Sequence, residues 1–179
     1  PVNQQDHELS QAIAKDLEDS SELINGRKFS SVYFGGGTPS LTSIDAVKNI
    51  LDAVKKYPLD PEVEITFEMN PRDVTKEKVA NLAALGINRF SLGLQSYDDQ
   101  ELAALGRNHD KATGIKAVQI LKEMNLTVDL MYGIELQTEA SFTNSLEKFI
   151  DSKANHLSLY QLTIEPNTIF YKKELKLPD

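Results

Sequence analysis

Glycine and polar residues stand where the apolar runs of this chain stop, and their types suit the binding of a small polar molecule. The run in Ser31-Val-Tyr-Phe-Gly-Gly-Gly-Thr-Pro-Ser40 ends in three glycines, a threonine and a proline. Backbone freed of Cβ atoms can bring N–H and C=O groups close to a ligand. Glu68 closes the alternating run Val63-Glu-Ile-Thr-Phe-Glu68. A carboxylate there can accept two hydrogen bonds from the diol of a ribose. Gln95 closes Arg89-Phe-Ser-Leu-Gly-Leu-Gln95, Asp129 lies in Val128-Asp-Leu-Met-Tyr-Gly133, and Gln161 and Glu165 follow a last apolar run. Arg107, in Leu105-Gly-Arg-Asn-His109, carries a guanidinium able to clamp a carboxylate on two bonds. His109 beside it reads as a structural histidine. His7 and His156 offer no metal-ligand spacing with it, and no Ser-His-Asp triad, phosphate loop with lysine or zinc helix occurs.

These residues need a scaffold that brings sequence-distant points to one edge, and the hydropathy pattern supplies it. Leu9, Ile13, Leu17 and Leu23 predict a helix over about 8–24. A strand at 30–34 precedes the glycine turn. Thr42 or Ser43 can cap a helix with Val47, Ile50, Leu51 and Val54 on its apolar face. The alternating run at 63–68 is a strand stopped by Asn70-Pro71. Thr75 opens a helix that Gly86 closes, and 89–95 is the next strand. Asp98 and Glu101 predict a capping box on a short helix to Leu105. A helix over 111–124, a strand at 128–133, a helix over 138–151 and a strand at 156–163 complete the pattern. Five strands separated by helices imply a parallel α/β sheet with right-handed crossovers. All strand ends then share one edge. The chain is too short for a closed eightfold barrel, which takes about 250 residues. The fold class expected is therefore α/β, an open or partial (β/α) barrel in one domain over 1–179.

Composition removes other classes. The chain has 179 residues, 40% of them hydrophobic, and no cysteine or tryptophan. Disulfides and any thiolate-ligated metal or iron–sulfur cluster are thereby excluded from this sequence. No run approaches the length needed to span a bilayer, which makes a cytoplasmic protein the expectation. The net charge of −8 argues against nucleic acid as a partner.

Taken together, the segments resemble the radical S-adenosylmethionine (SAM) enzymes related to oxygen-independent coproporphyrinogen oxidase, and most closely the HemW branch, described as haem chaperones. The residues that carry the resemblance are Phe34-Gly-Gly-Gly-Thr-Pro-Ser40, Glu64-Ile-Thr-Phe-Glu-Met-Asn-Pro71 and Gly86-Ile-Asn-Arg-Phe-Ser-Leu-Gly-Leu-Gln-Ser96. Leu105-Gly-Arg-Asn-His109, Asp129-Leu-Met-Tyr-Gly133 and His156-Leu-Ser-Leu-Tyr-Gln-Leu-Thr-Ile-Glu-Pro-Asn-Thr168 extend it. The resemblance implies that Gly36, Gly37 and Thr38 contact the methionine part of SAM and that Glu68 takes the ribose hydroxyls. It also implies that Gln95 and Asp129 line the nucleoside pocket and that Arg107 holds the methionine carboxylate. It makes the barrel one of radical SAM type, with its first strand missing from this sequence. SAM is the expected cofactor. A [4Fe–4S] cluster, haem or porphyrin, and a haem acceptor protein are expected only of the complete protein.

Three departures qualify the resemblance. The family's three-cysteine cluster loop is absent, so this polypeptide by itself is not expected to generate a radical. Gly133-Ile-Glu-Leu-Gln137 replaces the usual Gly-Leu-Pro-Gly-Gln. A histidine-containing C-terminal segment that the family is proposed to use for haem would lie beyond Asp179. Two other functions stand beside the haem-chaperone core: a porphyrinogen oxidase, and a cluster-less remnant that binds a nucleotide or serves as an interaction domain. A fragment without its first strand would also expose the edge of the strand at 30–34 and tend to associate.

Overall fold

The computed structural model describes residues 2–173, 175, 177 and 178. Two compact units emerge, one built from Pro1–Glu68 and Thr75–Arg89, the other from Met69–Val74 and Phe90–Asp179. Strands β1 (Phe29–Phe34), β2 (Leu59–Met69), β3 (Arg89–Gln95), β4 (Asn125–Tyr132) and β5 (His156–Gln161) make one sheet in chain order. That order is what successive right-handed βα units produce.

In the first unit, α1 (Val2–Asp19) begins earlier than the apolar spacing predicts and stops before a single-turn helix, α2 (Ser21–Ile24). Its stripe is only partly used, since Leu9 and Ile13 stay 57% and 41% exposed. Polar contacts fasten it instead. The Tyr57 hydroxyl donates to the Leu17 carbonyl, Asn49 Nδ2 donates to Ser10 Oγ, and the Ser43 N–H donates to the Asp6 carboxylate. Helix α3 (Ile44–Val54) starts at Ser43, whose hydroxyl accepts the Ala46 N–H, and buries Val47, Leu51 and Val54. Strand β2 extends back through Pro61 to Leu59, past the alternating run visible in the sequence. It pairs parallel to β1 with Tyr33 opposite Thr66 and Phe34 opposite Phe67. Ile65 and Phe67 are buried as predicted, and the Phe34 and Phe67 rings meet at 5.5 Å. Period-two alternation therefore turns Glu64, Thr66 and Glu68 to the opposite face. Thr75 caps α4 (Lys76–Leu85), accepting the Lys78 N–H, and Gly86 ends it at φ 109°.

In the second unit, Phe90, Leu92 and Leu94 of β3 are fully buried, which leaves Ser91, Gly93 and Gln95 on the other face. Asn70 accepts the Arg72 N–H and opens a 3-10 turn at Pro71–Asp73. Asp98 caps α5 (Asp99–Ala104) as predicted, accepting the N–H groups of Gln100 and Glu101. The other half of the expected capping box does not form, because the Glu101 side chain is buried and engaged elsewhere. Helix α6 (Lys111–Leu121) follows Asp110 and is shorter than predicted. β4 buries Leu126, Val128 and Leu130, and pairs parallel to β5 with Asp129 opposite Ser158. Between them runs α7 (Glu139–Ser152), opened by a reciprocal box between Thr138 and Ser141. A last turn, α8 (Ile169–Lys172), is capped by Thr168. Among the described residues no helix is long and apolar enough to cross a membrane.

Candidate functional site

The first unit carries the glycine turn and Glu68. Gly36 and Gly37 sit at φ 82° and 62°, a region that residues with a Cβ adopt at a penalty, and a Cβ on either would touch nothing. Gly35 is required for a different reason. A Cβ there would stand 2.7 Å from Tyr33 Cε1 and 3.0 Å from Glu68 Oε1. The space it leaves is filled by a hydrogen bond, the Tyr33 hydroxyl donating to Glu68 Oε1 at 2.9 Å. The turn and the carboxylate are thus brought together as the sequence predicts. Glu68 neither caps the following helical turn, which Asn70 does, nor pairs with an arginine: the arginine on this face, Arg89, binds Glu64 at 2.9 Å. Thr38 is exposed, begins the 3-10 turn at Pro39–Leu41 with its carbonyl, and makes no side-chain cap. Lys78 of α4 donates to the Ser40 carbonyl and ties that turn down.

The second unit holds Gln95, Arg107 and Asp129. A Cβ on Gly93 would lie 3.3 Å from Gln95 Nε2 and 3.5 Å from Arg107 Nη2, so a bare strand residue lets the two side chains meet over it. Arg107 Nη2 donates to the Gly93 carbonyl at 2.9 Å, while its Nε is buried without a hydrogen-bond partner. Burial lowers the pKa of this guanidinium from its ordinary value, though it remains a cation at any ordinary pH. From the same loop, His109 Nε2 reaches the Leu94 carbonyl at 3.1 Å. That acceptor fixes the proton on Nε2 and leaves Nδ1 buried and unpartnered. His109 is 6% exposed and is, as read from the sequence, a structural residue. Its pKa is lowered by burial first and by the Arg107 charge second, against a raising contribution from Leu94.

Gln95 itself has φ 72° and is spanned by a hydrogen bond from the Ser96 N–H to the Leu94 carbonyl. This is the strained, positive-φ γ-turn, at a cost on the order of 1–3 kcal/mol for a residue with a side chain. Asp129 departs from expectation. It is not at the end of its strand but inside β4, which runs on to Tyr132. Both its oxygens lie 3.2 Å from Ser91 Oγ, which places it on the face shared by Ser91, Gly93 and Gln95. Gln161 ends β5 and Glu165 lies beyond it, both exposed.

Sequence reasoning missed Tyr33, Gly93 and Ser91. Tyr33 was accessible from parity alone: it lies two residues before Gly35 on β1, opposite a residue two before Glu68 on β2.

The model of the radical SAM superfamily matches residues 11–149. The heme chaperone HemW of Haemophilus influenzae is 39% identical over 177 residues, covering 97% of this chain and 46% of that protein. The HemW of Escherichia coli is 36% identical, over 94% of this chain and 46% of its own length. The chain thus spans just under half the length of these curated relatives. Among solved structures, the coproporphyrinogen III oxidase HemN of Escherichia coli, a radical SAM enzyme, superposes with a TM-score of 0.84 at 24% identity. That match covers 98% of this chain and 43% of the enzyme. It bears out the expected fold class, the partial parallel (β/α) barrel.

Proposed function

Because the chain belongs to the radical SAM superfamily, we propose that its strand-end residues bind S-adenosylmethionine and that it is the SAM-binding core of a HemW-like haem chaperone. The observation that carries the reading is Glu68. Its Oε1 is held by Tyr33, and its other oxygen has no partner among the described residues, so the carboxylate is oriented and free to accept from a ribose diol. Gly36, Gly37 and Thr38 offer exposed backbone and a hydroxyl to the methionine moiety. Arg107 is anchored through Nη2 on the Gly93 carbonyl, which orients a guanidinium able to clamp a carboxylate. Gln95 and Asp129 present polar groups to the nucleoside.

Bound SAM supplies a sulfonium whose carbon–sulfur bond breaks on addition of an electron. This chain does not fit the cluster that would provide one: it has no cysteine, and among the described residues no group of three or more His, Asp or Glu side chains is arranged to hold a metal ion. The residues here bind, orient and shield SAM, and no electron transfer is assigned to them. Haem or porphyrin, an acceptor protein and a cytoplasmic location come with the reading and belong to the complete protein.

Isothermal titration of SAM into the 179-residue chain tests this. Glu68→Ala and Arg107→Ala should each weaken binding about tenfold or more, the loss of one charge-assisted interaction. Undiminished binding by both variants would refute the site, and no binding by the parent chain at millimolar SAM would refute the reading.

A further inference from the structure

A buried carboxylate with no assigned role lies behind Gln95. Glu101 is 1% exposed, and the side-chain donors that reach its carboxylate carry no charge. Three neutral donors converge on it: the Ser96 hydroxyl at 2.5 Å, Gln137 Nε2 at 3.0 Å and the Ser141 hydroxyl at 2.5 Å. Each donor belongs to a different piece of chain. Ser96 directly follows Gln95, and its oxygen also accepts the Asp98 N–H. Gln137 closes the loop after β4, its Oε1 accepting the Gly133 and Ile134 N–H groups while Nε2 also reaches the Met131 carbonyl. Ser141 belongs to the box that opens α7.

We infer that Glu101 is the positioning residue of the SAM site, its carboxylate locking the strained turn at Gln95 to the loop that follows β4. The inference rests on the SAM-binding reading above. The backbone of Gln95 occupies a conformation it would leave if released, and such strain persists only where surroundings over-determine it. Two restraints act on this turn. His109 holds the Leu94 carbonyl in front of Gln95, and Glu101 holds Ser96 behind it. A bulk structural role would need only burial of an apolar side chain here. A carboxylate that accepts from three segments fixes a mutual geometry, and Gln95 is the adjoining residue with a side chain on the ligand face.

The test is a double-mutant cycle on SAM affinity, with Glu101→Gln made in the parent chain and in the Gln95→Ala background. Glu101→Gln keeps the shape but replaces one of the two acceptor oxygens with a donor and removes the charge. The expected result is about a fivefold or greater loss of SAM affinity in the parent and no further loss once Gln95 is alanine, the coupling of residues that act as one unit. Equal losses in both backgrounds would overturn the inference. An independent reading comes from the backbone 13C shifts of Gln95 in the ligand-free chain, which should leave their left-handed values in Glu101→Gln and overturn the inference if they stay. Should Glu101→Gln fail to fold, Ser96→Ala and Ser141→Ala replace it. Both remove one bond to the same carboxylate, but only Ser96→Ala should shift Gln95 and weaken SAM. Identical behaviour of the two would make Glu101 a stability residue alone. Failure of the parent chain to bind SAM would refute the functional reading, and the carbon shifts would still decide whether Glu101 holds Gln95.

Discussion

The three consecutive glycines look equivalent in the sequence and are not equivalent in the structure. Gly36 and Gly37 answer to backbone conformation, whereas Gly35 answers to crowding by Tyr33 and Glu68. The distinction can be measured. Gly35→Ala should lower stability by about 1–3 kcal/mol, the usual penalty of forcing a methyl into filled space. In a Tyr33→Ala background that penalty should largely vanish, because the 2.7 Å contact is with the tyrosine ring. Denaturant unfolding of the four proteins of this cycle checks it, and an unchanged penalty would mean that Gly35 is needed for the backbone after all. The loop after β4 shows the reverse case. Leu136 stands where the family usually has its second glycine in Gly-Leu-Pro-Gly-Gln, and it sits at φ 71° while 67% exposed. A leucine there gains little burial and carries left-handed strain of roughly 1–2 kcal/mol. Gln137 of the same segment keeps the loop closed through the Gly133 and Ile134 N–H groups, so the sequence departure does not unmake the turn.

At the scale of elements, what was legible followed strong local rules. The helix from Thr75 to Gly86 has a hydroxyl cap and a left-handed glycine stop, and β3 alternates Phe90, Leu92 and Leu94 on one face with Ser91, Gly93 and Gln95 on the other. Elements set by long-range contacts were not legible. The start of β2 is dictated by pairing of Leu59 with Phe29, against the local preference of Pro61, and α1 is held by polar ties at Asp6, Ser10 and Leu17 that its hydropathy does not show. The spacing of Glu101 from Asp98 suggests a cap and conceals Gln137, on the loop after β4, and Ser141, in the first turn of α7. Asp129 does not close its strand, because β4 begins at Asn125 and stays paired with β5 as far as Tyr132 opposite Gln161. The loop containing Arg107 and His109 is the element that grips the end of β3, through the Gly93 and Leu94 carbonyls. Its dependence on pH has a definite sign. The folded-state pKa of His109 lies below the ordinary value of 6.5, so the unfolded chain binds its proton first. This contribution to stability is intact above about pH 6.5 and falls as the pH drops through the unfolded-state value toward the lower folded one. The thermal midpoint should therefore fall less between about pH 7 and pH 5 in His109→Gln, which keeps a donor for Leu94 and does not titrate, than in the parent chain. Parallel pH profiles for the two proteins would show that His109 is not destabilised as a cation.

On the scale of the whole molecule, sequence motifs and structure support the same family, and composition sets what this polypeptide can do within it. The residues proposed to bind SAM need no metal: a carboxylate oriented by Tyr33 at Glu68, an anchored cation at Arg107 and open backbone at Gly36 and Gly37. The residues a cluster needs are a separate requirement, and with no cysteine in 179 positions this chain does not meet it. Binding of SAM and assembly of a cluster should accordingly separate. Anaerobic treatment with iron and sulfide is expected to leave the chain without the visible thiolate-to-iron charge-transfer bands, and SAM affinity should be the same before and after. Appearance of a stable, stoichiometric cluster would mean that histidine and carboxylate groups assemble a site on binding iron. An affinity that rises with iron and sulfide would mean that the metal itself carries part of the ligand contact, and would move the weight of recognition away from Glu68 and Arg107. Constancy would show that the strand-end residues recognise the cofactor on their own.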